Sequence, residues 1–194
     1  GSKGDIECDL IASGGKWGRG PTRDVHSSNA AQLDQPAWHL VQALNTLVTP
    51  EGDPAIDGFF EHVRPLTKEE HAMLDILARR MDEKAALEAI GARVWARNAG
   101  WRQALEDYVS RPTLTIEGLV GGYGGAGGKT IQPHKMTAKL DMRLVPDMTP
   151  RNCSSAIRSK LDRETFCAVA AACAASTSGC GSRTVIRTVS VIAT

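Results

Sequence analysis

The 194-residue sequence predicts an α+β fold, an antiparallel sheet with helices on one face and the other face open. Three observations predict it. Three segments alternate apolar and polar residues with period two, so each is a strand with one dry and one wet face. Two of these strands follow one another around a glycine-rich loop, as antiparallel neighbours do. Two amphipathic helical patterns, one after the first strand and one after the last of the three, supply the cover that a one-sided sheet needs.

The first strand runs from Asp5 to Ala12, with Ile6, Cys8, Leu10 and Ala12 on its dry face and Asp5, Glu7 and Asp9 between them. A loop rich in Gly, Pro, Ser and charge spans Gly14 to Asn29 and holds Trp17 and the tripeptide Asp24, Val25, His26. Asp34 offers an N-cap and Pro36 a first-turn residue for a helix that carries Leu40, Val41, Leu44, Leu47 and Val48 at helical spacing. Thr67 and Glu70 form a capping box before Met73, Leu74, Ile76 and Leu77. Further helical patterns cover Ala86, Leu87 and Ile90, with Gly91 as C-cap, and then Trp101, Leu105 and Tyr108. Together these make a helical insertion over about 66–110.

Leu114 and Ile116 alternate with Thr113, Thr115 and Glu117 in the second strand. Met136, Ala138, Leu140, Met142 and Leu144 alternate with Thr137, Lys139, Asp141 and Arg143 in the third, whose wet face presents Arg143. Thr149 and Pro150 start a second core helix carrying Ala156, Ile157 and Leu161. A fourth strand over 184–192 would complete a ferredoxin-like β-α-β-β-α-β unit. The sequence thus divides into a domain over 1–163 and an atypical tail over 164–194. For the Ala-, Ser- and Cys-rich run FCAVAAACAASTSGCGS before the fourth strand, helix, strand and disorder all stay open.

Composition narrows the function classes. A formal net charge of +1 gives no basic surface for nucleic acid or an anionic membrane. No apolar run reaches the roughly 20 residues of a membrane span, and the N-terminus has no signal-peptide pattern, so a cytoplasmic setting is expected. Five cysteines without a CxxC pair read as free thiols. The loop GGYGGAGGKT ends like a phosphate-binding P-loop, but the motif's first glycine falls on Tyr123 and a strand, not a helix, follows Thr130. No two histidines stand at metal-ligand spacing, and no nucleophile elbow is present. Among the five histidines His26, in its loop, is the one in a functional setting.

The stretches GGKWGRGPTRDVHSS, QPAWHLVQALNTL and RPTLTIEGLVGGYGGAGGKTIQPHKMTAKLDMRLVPDMTP, with the helical insertion between them, resemble the lid or dimerisation domain of a zinc metallopeptidase family. That family includes carnosine dipeptidase, aminoacylase and diaminopimelate desuccinylase; the insertion is most like that of the carnosine dipeptidase members. The resemblance spans roughly Gly4 to Leu161. It implies a homodimer formed through the lid, with each lid lending residues to the neighbouring active site. His26 takes the place of the family's DxHS histidine, which stabilises an oxyanion. Thr130 of KTxxP and Arg143 of the strand motif take the places of substrate-binding residues for a dipeptide or N-acyl amino acid. Two zinc ions are implied for a full-length parent. Their ligands, a His-x-Asp motif, a glutamate pair and further acids before the lid and a histidine after it, have no counterpart in this chain, which is expected to be inactive alone. The competing expectation is a free-standing dimeric interaction module that pairs through an exposed strand edge over Thr113 to Leu119.

Overall fold

The computed structural model of the chain describes residues 3–163, 169–176 and 184–185. The alternation at the N-terminus becomes strand β1, Gly4–Ser13, and Ile6, Cys8, Leu10 and Ala12 are all buried. A short helix α1, Gly14–Trp17, ends at Gly18 and leads to strand β2, Val25–His26. Helix α2, Pro36–Thr46, follows, with Pro36 at the first turn. Its N-cap is Gln35 rather than Asp34, and no side chain caps it. The buried positions are Pro36, Leu40, Ala43 and Leu44, with Leu47 just beyond, while Val41 is turned outward at 49% exposure. The stripe is therefore rotated by part of a turn from the predicted one, and a small alanine lets the helix lie close on the sheet.

Helices α3 (Lys68–Arg80), α4 (Glu83–Ala89) and α5 (Trp101–Ser110) follow, with Gly91 left-handed just past the end of α4. The Thr67–Glu70 capping box is formed at α3. Of the apolar residues in these helices only Leu74 is buried. Charge contacts hold the segment instead: Arg102 binds Asp75 at 2.6 Å and Glu106 at 2.9 Å. Asp53 accepts from Arg97 at 3.4 Å and Arg111 at 2.7 Å, which fastens the helices to the loop after α2.

The sheet is completed by β3 (Thr113–Val120), β5 (Lys135–Leu144), β6 (Val169–Ser176) and β7 (Thr184–Val185), in the antiparallel order β3-β5-β1-β6-β7. Strand β4, Ile131–Gln132, stands apart and pairs only with β2. Helix α6, Pro150–Arg163, places Cys153, Ile157 and Leu161 in the core at steps of four. The order of the main strands is the ferredoxin-like one, with the β5 and β1 dry faces under α2 and α6. The place beside β1 is filled by β6, within the alanine-rich run whose state the sequence left open. Alanine favours helix in isolation, but the outer backbone groups of β1 require partners, and eight paired positions satisfy them. Of the strand expected over 184–192, Thr184–Val185 pairs with β6, and 186–192 lie outside the described residues.

Strand β3 lies at one edge of the described sheet. A bulge at Glu117 shifts its register, so that Ile116 faces Leu140 and Gly118 faces Lys139. Ile116, Leu119 and Val120 are each half-exposed or more. Cys8 is disulfide-bonded, which corrects the expectation that every thiol is free; buried Cys153 is free, and burial pushes its thiol up to about 11.

Candidate functional site

His26 and Thr130, about a hundred residues apart in sequence, meet in the small β2–β4 ladder. His26 is paired with Ile131, and the Ser27 N–H donates to the Thr130 carbonyl at 3.2 Å. Both side chains are exposed at the end of the domain. Gln132, the buried residue of β4, anchors the ladder to the body by donating to the Asp34 carbonyl at 3.0 Å, just before α2.

The ring of His26 has a defined proton arrangement. The backbone N–H of Ser28 donates to its Nδ1 at 3.2 Å, and the Ser28 hydroxyl lies 2.8 Å from the same nitrogen. A backbone N–H can only donate, so Nδ1 is the acceptor and the neutral ring carries its proton on Nε2. The same bond caps the 3-10 turn over Ser27–Ala31. The Nε2–H is left to serve as a hydrogen-bond donor facing out of the domain.

A second clamp sets where the ladder sits. One carboxylate oxygen of Asp24 accepts from the backbone N–H of His134 at 3.0 Å and from its Nδ1 at 2.7 Å. These bonds from His134 hold the Asp24 carboxyl below the usual carboxylate range. The His134 carbonyl in turn accepts from the Gly14 N–H at 3.0 Å. Residues 14, 24 and 134 are thereby locked together around β2. No local spacing in the sequence points to this pair, because its members are separated by 110 positions.

Arg143 lies elsewhere. It is eight positions along β5 from Lys135, which at the usual strand rise is about 26 Å from the end that carries His26 and Thr130. Its cross-strand neighbours are Asp5 and Thr113, and its Nε donates to Asp141 at 2.8 Å. Its two terminal amino groups have no partner among the described residues. Lys3 stands close enough that burial first and the Arg143 charge second lower its pKa. The structure thus joins His26 with Thr130 and places Arg143 at the opposite end of the sheet. Among the described residues no group of three or more His, Cys, Asp or Glu could hold a metal ion, so these residues do not fit the metal centre that the resemblance implies for a parent. No helix of the described residues is long and apolar enough to cross a membrane.

The peptidase dimerisation domain model of M20 peptidases matches residues 14–166. Among curated proteins, the chain is 32% identical to the Cys-Gly metallodipeptidase dug1 of Schizosaccharomyces pombe over 130 residues, 66% of this chain and 27% of that protein. It is 28% identical to the Beta-Ala-His dipeptidase of Rattus norvegicus over 142 residues, 72% of this chain and 28% of that protein. Among solved structures, the M20 family metallo-carboxypeptidase Sso-CP2 from Sulfolobus solfataricus superposes with a TM-score of 0.78 at 32% identity, covering 88% of this chain and 43% of the other. The chain spans less than a third of the length of these two curated relatives.

Proposed function

From the premise that the chain belongs to the peptidase dimerisation domain family of M20 peptidases, we propose that it is the dimerisation domain of a metallodipeptidase and lends substrate-handling groups to active sites built by the rest of that enzyme. The observation that carries this reading is the ring state of His26, an exposed imidazole whose Nδ1 is occupied and whose Nε2–H is free to donate. A donor preset in that way stabilises the oxyanion that forms on an amide carbonyl under nucleophilic attack, and costs no reorganisation when the charge develops. Thr130, one residue along the paired strand, adds a hydroxyl that orients the same substrate. Metal chemistry belongs to the remainder of the enzyme.

The separation of about 26 Å from Arg143 to the His26 end gives the domain two working ends. In a twofold dimer one end faces the partner's active site and the other faces the site of its own chain. Arg143, whose terminal amino groups have no partner among the described residues, holds a substrate carboxylate by a forked contact in the latter. The homodimer forms by antiparallel pairing of the β3 edges, which covers Ile116, Leu119 and Val120 and removes an open edge. Short peptides with a free carboxylate are the substrate class, the cofactor of the parent is a pair of zinc ions, and the setting is cytosolic. Replacing His26 by Ala in the full-length enzyme tests the reading. Turnover is expected to fall by about 10²–10³, the loss seen when one oxyanion donor is removed, with little change in KM. Unchanged kcat would remove the role of His26.

A further inference from the structure

The glycine-rich loop between β3 and β4 closes on a tyrosine ring. Tyr123 folds back across the loop, and its hydroxyl donates to the Ala126 carbonyl at 2.8 Å. The ring lies on Gly125 so closely that a Cβ there would stand 2.5 Å from the phenol oxygen and 2.9 Å from a ring carbon. Gly121, at φ +135, packs against Lys135 and Met136, where a Cβ would meet the Lys135 carbonyl at 2.7 Å. Glycine at both positions lets the loop close on the tyrosine ring. Over that ring sits the Lys129 ammonium, 5.6 Å from its centroid. A ring face at that distance attracts a cation and restrains a side chain that would otherwise sample many rotamers.

Lys129 immediately precedes Thr130, so its charge is delivered to the same end of the domain as His26. No carboxylate lies within ion-pair distance of it among the described residues. The acid whose ionisation it influences, Asp24, is already bound twice by His134. The arrangement is a cation held in place by an aromatic ring, without an ion-paired carboxylate among the described residues, beside an oxyanion donor and a hydroxyl.

We infer that Lys129, positioned by the Tyr123 ring, is a specificity-determining residue that binds the free carboxylate of the peptide whose amide faces His26. The inference rests on the proposed role of this end of the domain in substrate binding. It assigns the glycine loop as the device that sets the lysine, and in the twofold dimer it brings Lys129 of one chain to the same substrate carboxylate that Arg143 of the other chain holds from the opposite end of the sheet.

The test uses the full-length enzyme and two substrates, a dipeptide with a free carboxylate and the same dipeptide as its C-terminal amide. Lys129→Met removes the charge from an exposed position while keeping the chain length. The ratio of kcat/KM for acid over amide is expected to fall about tenfold, through KM for the acid, as for loss of one charge-assisted contact. Lys129→Arg should return the ratio to within about threefold of the parent, since it restores the charge. Tyr123→Leu, which removes the ring, should lower the ratio in the same direction. Equal loss on both substrates, or no loss on either, would overturn the inference. Parallel measurement of His26→Ala keeps the two claims apart. That variant lowers kcat for acid and amide alike if the oxyanion reading holds, whatever Lys129 does.

Discussion

Gly14→Ala is the substitution for which the structure makes the sharpest statement. Gly14 is buried at the start of α1, where its N–H reaches His134, and it faces Gly20 across the loop that leads to His26. A Cβ on residue 14 would lie 2.6 Å from the Gly20 carbonyl carbon, 2.6 Å from the Pro21 oxygen and 2.7 Å from the Pro21 nitrogen. All three are backbone atoms and cannot rotate away. Restoring ordinary contact requires the 20–21 segment to retreat by about 1 Å, an overpacking strain of about 1–3 kcal/mol. For a chain of this size that is a fall in Tm of roughly 2–4 °C per kcal/mol, or about 2–12 °C. Gly15→Ala is the matched control, because the nearest atom its Cβ meets is the Thr22 methyl at 3.4 Å and its φ is ordinary. Thermal unfolding of both variants by circular dichroism measures the difference. In the full-length enzyme Gly14→Ala should also reduce kcat, since the retreating segment carries the Asp24 clamp and His26 behind it. If Gly14→Ala melts with Gly15→Ala, the close packing described for this loop is wrong.

Three further predictions follow from other parts of the molecule. Ile157→Ala, at a fully buried position of α6, should cost about 2–5 kcal/mol in urea unfolding, and a cost below about 1 kcal/mol would contradict the docking of that helix. Placing lysine at both Ile116 and Leu119 should weaken the dimer at least about a hundredfold by sedimentation, whereas an unchanged dimer would show that β3 is not its edge. Hydrogen bonds from Arg64 hold Glu70 down to about 2 from an ordinary 4.5. A depressed carboxylate contributes stability above its unfolded value and loses it as pH falls, here between about 4.5 and 2. Arg64→Met should therefore flatten the acid side of the stability profile in that window, and an unaltered profile would dismiss the pair.

Elements whose own periodicity agrees with their environment were legible in the sequence. The alternating faces of β1 and β5 and the Thr67–Glu70 box needed no tertiary information. The state of β6 depended on it, because its alanines extend only where the edge of β1 waits for a partner. Strand β3 reads as one-sided in sequence, yet Ile116 is half-exposed. The candidate site was legible residue by residue and not as an arrangement. His26, Thr130 and Arg143 carry motif-like surroundings, but only the β2–β4 ladder joins the first two, and only the strand rise separates the third. The Asp24–His134 clamp and the Tyr123–Lys129 contact are products of loop closure, which leaves no periodic trace.

The central claim, that this end of the domain works on a partner's active site, is tested most directly by mixing subunits. His26→Ala chains are combined with chains whose own catalytic centre has been inactivated but whose His26 is intact, and turnover of the mixture is measured. Neither parent dimer is active. Statistical exchange makes about half the dimers mixed, each with one centre served by an intact histidine from across the twofold axis, so activity should recover to about a quarter of the unmodified enzyme. A mixture as inactive as its components would contradict the account, because His26 would then act only within its own chain.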